Sequence, residues 1–89
     1  MASKQALEAA LKDAMRAGDE VRKRTIRMAL TNIKLMEVDK GGTLDEAAVS
    51  LVIQKEIKMR RETISDAQKI NRQDIIQENL DEISVLESF

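Results

Sequence analysis

This sequence predicts an all-α domain, a four-helix bundle-like fold with a long third helix. Three observations lead there. The 89 residues contain no proline and only three glycines, and those glycines fall at two points along the chain. Ala, Leu, Ile, Lys, Glu, Arg and Gln dominate, residues that mostly favour helix. The stretch Thr43–Asn71 holds neither Pro nor Gly; about 26 helical residues would span roughly 39 Å, the width of a small domain. The whole of residues 1–89 reads as one domain near the lower end of normal size.

The first helix opens at Ser3, whose hydroxyl can accept from the free N–H groups of the first turn. Leu7, Ala10, Leu11, Ala14 and Met15 share one face. Gly18 ends it, the usual residue for the left-handed position past a helix. Asp19 follows directly and can cap the next helix. A two-residue corner makes the first two helices neighbours in space.

The second helix runs from about Glu20 to Asp39. Ile26, Ala29, Leu30, Ile33 and Met36 form its main stripe. Val21, Met28 and Leu35, spaced by seven, form a second stripe roughly 140° round. Helix 1 and the last helix would cover that second stripe. If they do not, Met28 and Leu35 are candidates for a contact outside these 89 residues.

Gly41-Gly42 breaks the chain. Thr43 and Glu46 have the spacing of a capping box, which starts the third helix. Val49, Ile53, Ile57, Ile64 and Ala67 form one stripe on it, and Val52, Met59 and Ile70 a second. Two stripes imply neighbours on two sides, as for the central helix of a bundle. Asn71 is expected to stop this helix and cap the next, with Asp74 in the first turn, where the helix dipole favours acid. The last helix, about Arg72–Ser88, should bury Ile75, Ile76, Asn79, Leu80, Ile83 and Leu86.

Composition excludes several function classes. Hydrophobic residues make up 43%, enough for a core, but Phe89 is the only aromatic. No apolar run approaches the roughly 18 residues a membrane span needs. The absence of Cys fits a reducing compartment, and the N-terminus lacks the apolar h-region of a signal peptide; the expected setting is cytoplasmic. His, Cys, Tyr and Trp are all missing, which removes the commonest general base, thiol nucleophiles and soft-metal ligands. Gly41-Gly42 has neither the strand nor the Lys-Ser/Thr of a phosphate loop. No catalytic, cofactor or metal site is expected.

Two features point to binding. Residues 1–41 carry nine Lys/Arg against six Asp/Glu, whereas residues 72–89 carry one Arg against five acids. Lys23, Arg27 and Lys34 on the second helix, with Lys58 and Arg61 on the third, are the candidate face for RNA or another polyanionic partner. The plain alternative is solvated surface, and no aromatic side chains accompany them for base stacking. The second feature is Arg60, inside the apolar stripe of the third helix. A guanidinium there needs a carboxylate and further acceptors. Glu37 is the preferred partner, with Glu56 or an acid of the last helix second.

The segments TIRMALTNIKLMEVDK (25–40), VIQKEIKMRRETISDAQKINRQDII (52–76) and EISVLESF (82–89) resemble the YqeY-like proteins of the GatB/YqeY group. Gln54-Lys55-Glu56 and Arg60-Arg61-Glu62 are the most specific part. By position, the resemblance marks Arg27, Met28, Lys34, Glu37, Lys55, Arg60, Arg61, Glu62, Arg72 and Asp74. It implies an all-helical fold and kinship with the B subunit of tRNA-dependent amidotransferase, in which this region is a helical appendage linked to tRNA contact. A carbon–nitrogen ligase activity with glutamine as amide donor is implied only by that kinship. The implied role is a non-catalytic module that contacts tRNA or a tRNA-bound enzyme. A helical protein-interaction or oligomerisation domain using Met28 and Leu35 is the alternative. Position 71 is Asn where Gly is common, and Asn also tolerates the left-handed conformation. Relatives continue past the aromatic at position 89 into a small C-terminal helical domain, so these residues match the N-terminal helical domain only.

Overall fold

A computed structural model describes residues 2–89. Among them there are four helices and no strand: α1 (Lys4–Ala17), α2 (Glu20–Lys40), α3 (Glu46–Lys69) and α4 (Gln73–Glu87). The domain measures 42 × 30 × 20 Å. The 24 residues of α3 account for about 36 Å of its length.

The caps explain where each helix starts and stops. Ser3 Oγ accepts from the Ala6 N–H at 3.0 Å. Gly18 takes φ +68°, and the Asp19 N–H then reaches back to the Ala14 carbonyl at 3.0 Å. Asp19 caps α2 by accepting from the Arg22 N–H at 3.1 Å. Gly41, at φ +78°, closes α2 in the same manner, with the Gly42 N–H donating to the Glu37 carbonyl at 3.1 Å. Both glycines adopt a backbone region that side-chain-bearing residues enter only at a cost.

Two boundaries differ from expectation. Asp45, not Thr43, caps α3, accepting from the Ala48 N–H at 2.8 Å. A charged carboxylate is the stronger acceptor at a helix N-terminus, and it stands directly before Glu46. Asn71 does not cap α4. It sits at φ +56° as the left-handed residue after α3, while the Arg72 N–H donates to the Ala67 carbonyl at 2.9 Å. Arg72 occupies the cap position with no side-chain cap bond. Its guanidinium instead grips Asp74 through Nε and Nη2 at 3.0 and 2.9 Å.

The helices form two hairpins, α1–α2 and α3–α4, and α2 packs against both α3 and α4. Leu7, Ile26, Ile33, Val49 and Leu86 are fully buried where the hairpins meet. α1 lies mainly on α2, and this leaves the second stripes bare. Met28 and Leu35 are 44% and 62% exposed, and Met59 and Ile70 are 60% and 65% exposed; of the second stripe of α3, only Val52 is buried. Met15, Met36 and Leu80, expected in the main stripes, are also exposed. Four helices of this length offer too few faces to cover two stripes on both α2 and α3.

Candidate functional site

The polar centre of the fold is Arg60. Its side chain is 6% exposed, and it sits on the α3 stripe between Ile53, Glu56 and Ala67. Nη1 donates to the Glu56 carboxylate one turn back at 2.6 Å and to the Glu56 carbonyl at 3.0 Å. Nε donates to Glu82 on α4 at 2.9 Å. Arg24 of α2 holds the other Glu82 oxygen at 3.2 Å and reaches Glu78 at 3.5 Å. Asn32 of α2 donates through Nδ2 to Glu56. One chain of charge-assisted bonds therefore ties α2, α3 and α4 together. Such networks are favourable only when every member is satisfied, and no buried side-chain N or O among the described residues lacks a partner.

The expected Arg60–Glu37 pair does not form. Arg60 Nη2 lies 3.8 Å from the Met28 sulfur, which fixes its level along α2. Glu37 is nine residues further on, about 13 Å along the helix axis. Glu37 instead accepts from Lys4 Nζ at 2.8 Å and from the Leu44 N–H at 3.0 Å, joining α1 to the loop before α3. The Lys4 ammonium, then the Leu44 amide, holds the Glu37 carboxyl below its usual range; the same hydrogen bond raises Lys4. Glu82 was legible in principle. It stands seven residues after Ile75 and four before Leu86, inside the α4 stripe, whereas Leu80 lies roughly 110° off it.

The five candidate cations line more than one depression. Lys23 and Arg27 line a groove of about 530 Å³ along α2, together with Arg24, Met28, Thr31 and Asn32. Lys34 lies in a different depression with Lys4, Leu30 and Glu37. Arg61 lines a third with Ile64, Leu80 and Glu87; Lys58 is exposed and lines none of these. Lys23 is paired with Glu20 at 3.0 Å and Arg61 with Glu87 at 3.4 Å. Arg27, Lys34 and Lys58 have no ion-pair partner among the described residues.

The exposed apolar residues do converge. Leu35 and Met36 of α2 face Val52 and Met59 of α3 across a groove of about 260 Å³, with Lys55 on its wall and Glu56 and Asn32 also lining it. This groove and the one beside Arg27 share Asn32. Among the described residues no group of acids is placed to hold a metal ion, and no helix is long and apolar enough to cross a membrane.

Residues 4–89 match the family described as Yqey-like protein. The chain belongs to the YqeY-like family. It is 40% identical over 85 residues to "Altered inheritance of mitochondria protein 41, mitochondrial" of Kluyveromyces lactis, covering 94% of this chain and 46% of that protein. The proteins of the same name from Lachancea thermotolerans and Vanderwaltozyma polyspora are 39% and 36% identical over 80 residues, 89% of this chain and 43% of each. The chain thus spans about half the length of these relatives. Their names are mitochondrial, which overturns the expected cytoplasmic setting. A lack of cysteine argues only against an oxidising compartment, and addresses are read from targeting segments rather than from the interior of a folded domain. Of the residues that the resemblance marks, Arg60 and Glu37 tie separate elements of the YqeY-like fold together, Arg72 and Asp74 pair locally where α4 starts, and Arg27, Met28 and Lys55 line the two adjoining grooves.

Proposed function

We propose that this domain is a non-catalytic recognition module in tRNA-dependent amidation, and that it engages an aminoacyl-tRNA enzyme through protein contact. The supporting observation is the apolar groove between α2 and α3, whose Leu35, Met36 and Met59 are 62%, 41% and 60% exposed. Large apolar side chains gathered around one groove mark an interaction surface. The side chains to hand support contact over chemistry: with no His or Cys in the sequence, nothing supplies a general base near neutrality or a thiol nucleophile. Kinship with the amidotransferase B subunit suggests the setting. The apolar lining of that groove favours a protein over the tRNA backbone as the partner, because phosphate binding gains from many cations along one track.

Isothermal titration of the domain into a purified tRNA-dependent amidotransferase, and separately into tRNA, tests this. The expected result is saturable binding to the enzyme and weaker, salt-sensitive binding to tRNA alone. No binding to the enzyme would overturn the proposal. So would tighter binding to free tRNA that is lost in the double variant Arg27→Glu, Lys34→Glu.

A further inference from the structure

Two grooves adjoin at Asn32 of α2; taken together as one channel, they have unlike ends. The end beside the first half of α2 is cationic and polar, lined by Lys23, Arg24, Arg27 and Thr31. The other end is apolar, lined by Leu35, Met36, Val52 and Met59. The carboxylates of the channel are engaged: Glu20 by Lys23 and Glu56 by Arg60. Its cations Arg27, on the α2 wall, and Lys55, on the α3 wall, have no ion-pair partner among the described residues. A ligand seated here therefore needs negative charge at one end and apolar side chains at the other.

We infer that this channel receives an amphipathic helix of a partner protein whose acidic residues lie about two turns from its apolar anchors. The spacing follows from α2 itself: Arg27 and Leu35 are eight residues apart, about 12 Å along the axis. A helix fits the apolar end because a furrow between two helices accepts the ridge of a third; the cationic end is lined by α2 alone. Methionines suit such a floor, since their unbranched thioethers adapt to the shape laid on them. Nucleic acid fits less well. The apolar end offers a phosphate only the Lys55 ammonium, and Phe89, the only aromatic, lies under the Arg22 guanidinium at 5.4 Å. A second copy docked channel to channel fits less well again, because its channel offers Arg27 and Lys55 no unengaged carboxylate. The inference rests on the reading that the domain works by protein contact, and it names the chemistry of that contact.

The test uses two fluorescent synthetic peptides of roughly 18 residues, about five helical turns. One carries a Glu pair two turns before a Leu/Met ridge at i, i+3, i+4 and i+7. The other has Lys in place of the Glu pair. By anisotropy the acidic peptide is expected to bind at least about tenfold more tightly than its Lys counterpart, the ratio that about 1.4 kcal/mol gives. Leu35→Ser and Arg27→Glu, both at exposed positions, should each weaken it several-fold, whereas Leu80→Ser, at an exposed leucine outside the channel, should not. Circular dichroism of each variant checks that the fold is kept. Equal binding of the two peptides, no binding of the acidic one below about 1 mM, or an equal loss in Leu80→Ser would overturn the inference. So would tRNA that displaces the peptide and binds Leu35→Ser as well as wild type, or a wild-type dimer that Leu35→Ser abolishes. If the amidotransferase binds and neither channel variant changes its affinity, the inference fails and the proposed function stands. If the acidic peptide binds as expected and the enzyme does not, the proposed function fails instead.

Discussion

Replacing Arg60 with methionine would leave Glu56 and Glu82 buried, 6% and 10% exposed, without the charge that joins them. Methionine fills much of the arginine stem, so the change removes charge and hydrogen bonds more than volume. Removing one partner of a buried ion pair typically costs about 3–5 kcal/mol. Glu82 keeps Arg24 at 3.2 Å, which places the expected loss near the lower end, about 3 kcal/mol. A domain of this size has a total stability of about 4–13 kcal/mol, and each kcal/mol shifts its melting temperature by about 4–8 °C. The expected drop is therefore about 12–24 °C, measured by circular dichroism on heating, with urea titration as the check. The triple variant Glu56→Met, Arg60→Met, Glu82→Met removes both stranded carboxylates as well and should recover at least half of the loss. A loss below about 1 kcal/mol in Arg60→Met would show that the two carboxylates do not depend on the guanidinium. A triple variant no more stable than the single one would show that shape, not charge, decides the site.

Three further outcomes are expected. Arg72 holds the Asp74 carboxyl down to about 2 from an ordinary 3.8, so its contribution is fully present above pH 3.8 and is lost as pH falls through about 2; carboxyl NMR titration should find that midpoint, and Arg72→Gln should return it toward 3.8. Lys4 depresses Glu37 below 4.5, and its own value is raised above 10.5, so the stability the pair adds is lost on the acid side below pH 4.5 and on the alkaline side above pH 10.5; Glu37→Gln should flatten both flanks of a stability–pH profile. Gly18→Ala and Gly41→Ala should each cost about 1 kcal/mol in urea titration, because both residues have positive φ. Gly42→Ala, with a backbone free of that constraint and no atom within 4 Å of an added Cβ, should be neutral or stabilising by up to about 1 kcal/mol.

The number and order of helices were legible because capping and punctuation are local. Ser3, Gly18, Asp19 and Gly41 act on backbone within a few residues of themselves. Main-stripe residues such as Leu7, Ile26, Ile33, Val49 and Leu86 were legible too, since one face of each helix must meet the others. The fate of the second stripes was not, because period alone does not say how many neighbours a helix will find. Met28, Leu35 and Met59 have the spacing of core residues and remain exposed because α1 packs on α2 at the Leu30 side and leaves their faces uncovered. The partner of Arg60 was misjudged for a related reason. Glu56 lay one turn away on the same helix, but ranking it above Glu37 required knowing how far α3 slides along α2, a register set by the two hairpins. The candidate cations share a sign, but which depression each one lines was not legible, since charge on a helix is free to point wherever the apolar face leaves room.

The charge network holds α2 on the α3–α4 hairpin, and the channel this leaves open is where the proposed partner docks. The methionine methyl groups report on it directly, through the ¹³C-methyl NMR spectrum of the labelled domain with and without the amidotransferase. Met28, Met36 and Met59 line the channel, whereas Met15 stands exposed on α1. The first three signals are expected to shift or broaden on mixing while Met15 does not. Perturbation of Met15 alone, or of none of the four, would contradict it.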